Sequence, residues 1–320
     1  MAVKLFVGNY KGGVGKTTSS FYLANEISGL TEKKVLLIDL DPQCSLSEAC
    51  VRSYNDGMTL YDLDDMETFN YVLDMMGRCN QLGLLPPFDF GKIIKPCKSI
   101  LGQVDFCPVS LYYKTVPAST ARDADMRREE DLDAEIGLDG LTDQMQKDPD
   151  KTILYLPQIV RMIEKEYDYE YIFFDCPPSN NILTRSVFLL SDYYLIPYIG
   201  DYVSSEGVDH YISTISRIYR TYCIKHPDAY LYRLFFGERP ELLGLFECMR
   251  SGNSNSRAIF REDYPRFHTV IKSLVAVADS LGMGRTSYND GGYAQLATEI
   301  LEELNKRRFG GTEPELLPAP

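Results

Sequence analysis

The sequence predicts an α/β fold, with a mostly parallel, twisted sheet covered by helices on both faces. Three observations predict it. Short apolar runs typical of buried strands alternate with amphipathic runs at helical spacing. A glycine-rich loop stands between the first predicted strand and the first predicted helix. Acidic residues follow several strands directly, at the edge where sheets of this class bind ligands.

The individual elements follow from these patterns. Continuous apolar strands joined by helical crossovers indicate parallel pairing. The predicted strands cover residues 3–7, 34–39, 104–109, 171–175, 193–198 and 242–247. The predicted helices cover residues 17–28, 156–166, 182–190, 208–222 and 293–306.

Length and charge limit the domain organisation. The chain has 320 residues, with 33 Lys and Arg against 46 Asp and Glu, a net charge of −13. We expect one domain over residues 1–309, a helical insertion at about 115–150 and a proline-rich tail at 310–320, since a single core holds up to about 300 residues. Residues 123–150 hold eleven acids and three bases. This acidic insertion is interpreted as a solvated charged face, with an acidic docking surface as the alternative.

Composition also excludes some classes of protein. No run of about 18 apolar residues exists, so no transmembrane helix is expected. The eight cysteines are scattered without a C-x-x-C pair. This pattern suits reduced thiols and favours a cytoplasmic location. The three histidines form no metal-binding motif.

The segment GNYKGGVGKTT, residues 8–18, carries the strongest functional signal. Its glycines let backbone N–H groups point inward as an anion-binding nest, at the positive end of the following helix. Lys16 supplies a cation to the β- and γ-phosphates, and the Thr17 hydroxyl supplies a ligand for Mg²⁺. The strict phosphate-loop pattern needs glycine where this chain has Tyr10, and a second lysine, Lys11, begins the loop.

The string K-G-G-V-G-K-T-T resembles the deviant Walker A ATPases, a family of P-loop NTPases that includes the ParA/Soj partition proteins, MinD and the nitrogenase iron protein. The resemblance implies ATP and Mg²⁺ as cofactors and a homodimer that sandwiches ATP. It makes Lys11 the lysine that reaches the partner's nucleotide, a role like that of an arginine finger. The implied ATP-binding residues of the loop are Lys11, Gly12, Gly13, Val14, Gly15, Lys16, Thr17 and Thr18.

Acidic residues complete the predicted site. The second strand runs into D-L-D-P-Q, so Asp39 and Asp41 leave the strand end on one face, near the loop. By resemblance Asp41 orients the attacking water and is catalytic with Lys11 and Lys16. Asp39 supports Mg²⁺ through water, and Asp175, at the end of YIFFD, holds a water on Mg²⁺. The alternative for the Asp39 and Asp41 pair is helix capping.

Later segments carry weaker resemblance. Residues 242–257 stand where the family recognises adenine, which makes Glu247, Met249 and Arg250 candidates for the base pocket. The closing region resembles the family's I-P-R-N segment but reads I-K-S-L at 271–274. The arginine usual there is missing.

The resemblance implies a ParA-type ATPase, weak alone and stimulated by a ParB-like partner, that segregates a plasmid, a chromosome or other cargo. Such proteins bind double-stranded DNA nonspecifically in the ATP state, which would place this one on the nucleoid. The candidate DNA-binding cations are Arg257, Arg261, Lys272 and Arg285. The alternative is an ATP-switched regulatory protein that docks on a protein partner without DNA. No membrane partner is expected, because the last helix continues into a short, proline-broken tail.

Overall fold

The computed structural model describes residues 1–84, 86, 88–98, 101–114, 135–199, 202–248, 260–261, 263–272, 275–287 and 290–309. The predicted α/β class is confirmed in this part of the chain. Eight strands form one sheet in the order β3-β4-β2-β5-β1-β6-β7-β8. All neighbouring strands are parallel except β3, which runs antiparallel to β4. The strands are β1 (Val3–Val7), β2 (Lys34–Asp39), β3 (Lys95–Cys97), β4 (Gln103–Cys107), β5 (Tyr171–Asp175), β6 (Tyr193–Tyr198), β7 (Glu241–Cys248) and β8 (Arg266–Ile271).

Helices cover both faces of the sheet. One layer contains α1, α2, α11 and α12, and the other contains α3, α5, α7, α8, α9 and α10, as their mutual contacts show. The helices are α1 (Lys16–Thr31), α2 (Ser45–Tyr54), α3 (Phe69–Leu82), α4 (Phe90–Ile93), α5 (Gly137–Met145), α6 (Pro149–Thr152), α7 (Tyr155–Glu166), α8 (Ile182–Leu190), α9 (Tyr202–Tyr219), α10 (Ala229–Phe236), α11 (Val275–Gly282) and α12 (Tyr293–Phe309). A π-helical turn (Arg220–Lys225) follows α9, and two 3₁₀ turns (Leu60–Asp62 and Asp65–Glu67) precede α3.

The register of the central strands positions the motifs. β1 lies between β5 and β6, and Val7 pairs with Asp175 on one side and Leu195 on the other. Asp39 of β2 pairs with Asp175 of β5. The loop after β1 and the acids that end β2 and β5 therefore meet at one carboxyl edge, as the sequence predicts.

The structure adds elements that the sequence pattern does not reveal. The strand β3 is only three residues long and contains a proline, and β8 at the other edge of the sheet is exposed or half-buried over its first three residues and buried at Thr269 and Ile271. The helices α2, α3, α10 and α11 also lie outside the predicted set. The predicted strand 104–109 ends at Cys107 instead, because the Pro108 carbonyl turns away to accept from the Phe69 N–H at 2.7 Å.

The acidic insertion is partly integrated into the core. Residues 115–134 lie outside the described residues, as does the predicted tail at 310–320. Residues 135–150 include α5, whose Leu138, Leu141 and Met145 are buried. This half of the insertion is therefore packed against the domain. In the described residues, no helix is long and apolar enough to span a membrane.

Candidate nucleotide site

The loop after β1 is anchored on both sides before it reaches the glycines. The Gly8 N–H donates to the Leu195 carbonyl at 3.0 Å, and the Asn9 amide donates to the Pro197 carbonyl at 2.8 Å. The Asn9 side-chain oxygen accepts from the Lys11 N–H at 2.9 Å. A Cβ on Gly8 would overlap with the Tyr211 hydroxyl, so only glycine fits there.

The loop itself needs glycine for its backbone conformation. Gly13 and Gly15 have φ of 71° and 84°, in the left-handed region. Gly15 is also the N-cap of α1 and has no side chain to cap the first N–H groups. The open N–H groups of the first helical turn are the donors that an anion binds at a helix N-terminus.

Tyr10 occupies the position at which the strict phosphate-loop pattern has glycine. Its ring packs edge-on against Tyr211, with centroids 4.7 Å apart, and lies 5.6 Å from the His210 ring. Both partners belong to α9. The side chain that replaces glycine is therefore held against a neighbouring helix, and it ties the loop to that helix.

Lys16 is buried at the start of α1, and its Nζ donates to the Lys11 carbonyl at 3.2 Å. Burial lowers the pKa of Lys16, while the carboxylates of Asp175 and Asp41 act in the opposite direction. The amine thus lies among acids and loop carbonyls. A phosphate in the loop would supply the negative charge that favours the protonated amine.

Both side-chain oxygens of Asp39 accept hydrogen bonds from the turn after β2. Its Oδ1 accepts from the Asp41 N–H at 3.0 Å, and its Oδ2 accepts from the Ser47 N–H and hydroxyl at 2.8 and 2.7 Å. Burial raises the pKa of Asp39 to about 6, against these hydrogen bonds. Asp39 therefore orients the segment that carries Asp41, and its water-mediated role toward Mg²⁺ remains a prediction.

Ser47 is a site residue that the sequence analysis missed. Its hydroxyl donates to Asp39 and accepts from the Val109 N–H at 2.9 Å, so it joins the ends of β2 and β4. The side chain is 1% exposed. The only signal in the sequence is a serine in the first turn of the helix that follows the D-x-D pair.

Asp41 lies at the surface end of this turn. Its Oδ1 accepts from the Gln43 N–H at 2.9 Å, and its carbonyl accepts from the Cys44 N–H at 2.9 Å. Cys44 has φ of 55°, a conformation that favours glycine, and its side chain is buried. The turn therefore holds the Asp41 carboxylate half-exposed beside the loop.

Asp175 fits a cation-binding role. Its Oδ1 accepts from the Ser20 hydroxyl at 3.2 Å, and the Thr17 hydroxyl also bonds to this carboxylate. Among the described residues its buried Oδ2 has no hydrogen-bond partner. Burial, and next the nearby Asp39, raises the pKa of Asp175. A divalent cation would satisfy the orphaned oxygen and offset the repulsion, so Thr17 and Asp175 fit the Mg²⁺ that the loop implies.

The structure does not bring the other predicted binding residues together in one described site. Glu247 lies half-buried near the end of β7, on the carboxyl edge. Met249, Arg250 and Arg257 lie outside the described residues. Arg261 is exposed and pairs with Asp263 at 3.3 Å, while Lys272 and Arg285 are exposed after β8 and α11.

Arg307 and Arg308, near the end of α12, form ion pairs within the protein. Arg307 bonds to Glu241 at 3.1 Å and to the Leu242 carbonyl at 3.0 Å, and Arg308 pairs with Glu170 at 3.2 Å. These contacts fasten α12 to the strands. They leave Arg307 and Arg308 unsuited to a mobile contact with phosphates.

Known proteins resemble this chain in sequence. A family model described as an AAA domain matches residues 3–226. The chain is 29% identical to the chromosome-partitioning ATPase Soj of Treponema pallidum, over 68% of this chain and 65% of that protein. It is 27% identical to the chromosome partitioning protein ParA of Myxococcus xanthus, over 66% of this chain and 57% of that protein. The match thus covers less than two thirds of these relatives. A Soj of Thermus thermophilus is 23% identical over 95% of this chain and 97% of its own length.

Solved structures share the fold at low identity. Cobyrinic acid a,c-diamide synthase from Mycobacterium smegmatis, with a bound ATP analog and magnesium, is 19% identical with a TM-score of 0.61, over 98% of this chain and 99% of that chain. A putative plasmid partition protein from Borrelia burgdorferi bound to AMPPNP is 18% identical with a TM-score of 0.59, over 96% of this chain and 100% of that chain. At these identities the likeness establishes the fold.

Proposed function

The chain belongs to the AAA-domain family matched above, as a ParA/MinD-type P-loop ATPase, and we propose that it is an ATP-dependent dimerising switch of the partition type. The observation that carries the proposal is the convergence of Lys16, Asp41 and Asp175 at one sheet edge, beside a glycine loop that opens a helix. This arrangement holds a cation, a water-orienting carboxylate and a metal-binding carboxylate around the place where a nucleotide's phosphates would lie.

In the proposed reaction the chain's own residues bind, orient and position the reactants. The loop N–H groups and Lys16 would bind the β- and γ-phosphates. Thr17 and Asp175 would hold Mg²⁺, and Asp39 would support it through water. Mg²⁺, when bound, neutralises charge that builds up on the phosphates. Asp41 accepts a hydrogen bond from the attacking water and orients it. The turn that Asp39 and Ser47 fold sets the position of that carboxylate.

The dimer is the second part of the proposal. Lys11 begins the loop and lies half-exposed next to the fixed Asn9, at the end of the molecule that a second nucleotide site would face. A partner's Lys11 would place a cation on the phosphoryl group in transfer. ATP would then favour the dimer and hydrolysis would release it, which makes a switch because the two nucleotide states differ in affinity for the partner.

We propose DNA, bound without sequence specificity, as the large partner, because the Soj and ParA relatives are chromosome-partitioning proteins. A ParB-like protein or cargo adaptor is the proposed activator. Of the four cations predicted for DNA binding, Arg261, Lys272 and Arg285 lie in the described part of the chain and are exposed. The alternative is a switch that docks on protein alone. The net charge of −13 and the ion pair of Arg261 favour that alternative.

Fluorescence anisotropy with Asp41→Ala protein and a random-sequence duplex separates the two functions. The variant should bind ATP and hydrolyse it too slowly to leave the ATP state. Binding in ATP·Mg²⁺ but not in ADP, weakening steeply with salt, supports the DNA-carried function. A variant that dimerises with ATP and binds no DNA in either state would replace it with protein docking. Lys16→Ala is the matched control, because it should bind no nucleotide.

A further inference from the structure

Exposed apolar side chains cluster on two separate surfaces of the molecule. Of the thirteen large hydrophobic residues that are exposed in the described part of the chain, eight fall into two groups of four. The edge patch consists of Tyr61, Met66, Leu111 and Tyr112. The helix patch consists of Ile224, Tyr230, Leu231 and Leu234.

The edge patch lies beyond the carboxyl end of β4 and is rigidly supported. The Tyr61 and Tyr112 rings are in edge-on contact, with centroids 5.4 Å apart, although Tyr61 is 75% exposed. The loop that carries Tyr112 is fastened by a pair of hydrogen bonds between Asn70 and the Ser110 backbone, at 2.8 and 3.1 Å. The aromatic surface is therefore held in place before any partner arrives, which lowers the entropic cost of binding.

The surroundings of the edge patch are acidic. Residues 56–67 contain five Asp and Glu and no Lys or Arg. Two cations beside them are paired with acids, Arg52 with Glu48 at 3.6 Å and Lys95 with Glu67 at 2.8 Å, and Lys114 lies next to Asp65, so the surface keeps an excess of acids. Hydrogen bonds from the Thr59 backbone and hydroxyl hold the pKa of Asp62 below its usual value, so this exposed carboxylate stays ionised. Asp64 is exposed and Asp65 is half-exposed in the next turn. A partner for this surface must be apolar with a cationic rim.

The helix patch lies on α10 and the π-helical turn before it. Tyr230, Leu231 and Leu234 share one face of α10, while Tyr232 and Phe236 on the other face are buried. Ile224 belongs to the π-helical turn that packs against α10, and it is 61% exposed.

The rim of the helix patch is cationic. The exposed cations around it are Arg217, Arg220, Lys225, Arg233 and Arg239, against two exposed acids of the same stretch, Asp228 and Glu238. Among the described residues, Arg220, Lys225 and Arg233 take part in no ion pair, although Asp228 lies nearby beside His226. The helix patch thus has the apolar centre and the positive rim that the edge patch requires.

We propose that the chain associates head to tail, with the edge patch of one copy bound to the helix patch of the next. The two surfaces cannot meet within one molecule. The edge patch lies at the carboxyl edge of the sheet, whereas α9 and α10 cross back from the end of β6 to the start of its parallel neighbour β7. Two different surfaces in contact make a heterologous interface, which extends into open chains unless the rotation closes a ring.

This association does not depend on ATP and does not rest on the proposed ATPase function. Four apolar side chains on each side make a small interface, so we expect a dissociation constant on the order of 10–100 µM. The net charge of −13 opposes contact between copies, and physiological salt screens that repulsion beyond about 8 Å.

Sedimentation velocity on the nucleotide-free chain, up to about 200 µM, tests the proposal. Tyr61→Ser with Tyr112→Ser removes the edge patch, and Leu231→Ser with Leu234→Ser removes the helix patch. Each double variant should stay monomeric, with at least about tenfold weaker association than the unmodified chain. Leu82→Ser is the matched control, since Leu82 is 73% exposed at the end of α3, outside both patches, and its replacement should change nothing.

Mixing the two double variants is the decisive step. Each variant retains the surface that the other lacks. An equimolar mixture should therefore form heterodimers, and it should not form assemblies of three or more copies. A far-ultraviolet circular dichroism spectrum and a urea midpoint like those of the unmodified chain show that the variants are folded. A monomeric unmodified chain at the highest concentration, unchanged association of either variant, or a mixture that stays monomeric would each overturn the proposal. The first result would assign the two patches to other partners.

Discussion

Replacing Ser47 by alanine removes one hydroxyl at the junction of three elements. This hydroxyl donates to the buried Asp39 carboxylate at 2.7 Å and accepts from the Val109 N–H at 2.9 Å. Nothing else in the site reaches both the turn that carries Asp41 and the loop after β4 among the described contacts. Ser47→Ala therefore tests whether the turn is held by this link.

The magnitude follows from the two bonds. Losing a hydrogen bond to a charged group costs about 1.5–3 kcal/mol, and leaving a buried N–H without a partner costs about 1–3 kcal/mol. Because Asp39 keeps two backbone donors, we expect a loss near the lower end, about 2–4 kcal/mol in the free energy of unfolding. The pKa of Asp39 should also rise, because the Ser47 hydroxyl lowers it.

Urea denaturation measured by circular dichroism gives the change in stability, and ATP hydrolysis gives the change in turnover. Hydrolysis should fall more than nucleotide affinity, since the loop and Lys16 do not contact Ser47. Ser45→Ala, two residues earlier on the exposed start of α2, is the control and should stay within about 0.5 kcal/mol. If Ser47→Ala is as stable and as active as that control, the link does not hold the turn.

Three further predictions concern buried groups. Gly8→Ala should destabilise the protein and weaken ATP binding, because the new Cβ meets the Tyr211 hydroxyl; Tyr211→Phe should partly restore both, and no rescue would contradict the steric reason. Asp175→Asn should raise the melting temperature of the nucleotide-free protein, because burial beside Asp39 raises the pKa of this carboxyl to about 8 and makes its protonation a cost of folding at neutral pH. The same variant should weaken Mg²⁺-dependent ATP binding in calorimetry, and a lowered melting temperature would contradict this reasoning. Burial raises the pKa of Glu26 to about 7, so the folded chain holds a proton that the unfolded chain releases above about 4.5, and stability should fall between these pH values. Glu26→Gln should flatten that slope in urea titrations, and an unchanged slope would remove Glu26 as its source.

The sequence predicts the central part of the site well. The strand, glycine loop and helix are contiguous in the chain, so their arrangement follows from local geometry. The convergence of Asp39 and Asp175 follows from parallel pairing alone, because neighbouring parallel strands end at the same edge. For these residues the order of strands, loop and helix in the sequence is enough to predict that their side chains lie close together.

Long-range contacts were not predictable in the same way. The bond between Ser47 and Val109 joins residues 62 apart, and no periodicity indicates it. The packing of Tyr10 on α9 depends on a helix about 200 residues later. Cys44 was not predictable either: it is buried and has a φ of 55°, in the left-handed region, although a cysteine gives no signal for that conformation.

The most direct test of the nucleotide-dependent dimer is the mass of the dilute protein with ATP·Mg²⁺ and with ADP, measured by light scattering on Asp41→Ala and on the same protein with Lys11→Ala added. Working well below the concentration at which the two patches would associate isolates the nucleotide effect. We expect a dimer with ATP, a monomer with ADP, and a monomer in both states once Lys11 is replaced while ATP binding persists. A dimer that ignores the nucleotide, or one that survives the loss of Lys11, would contradict the proposal that ATP switches this chain through Lys11.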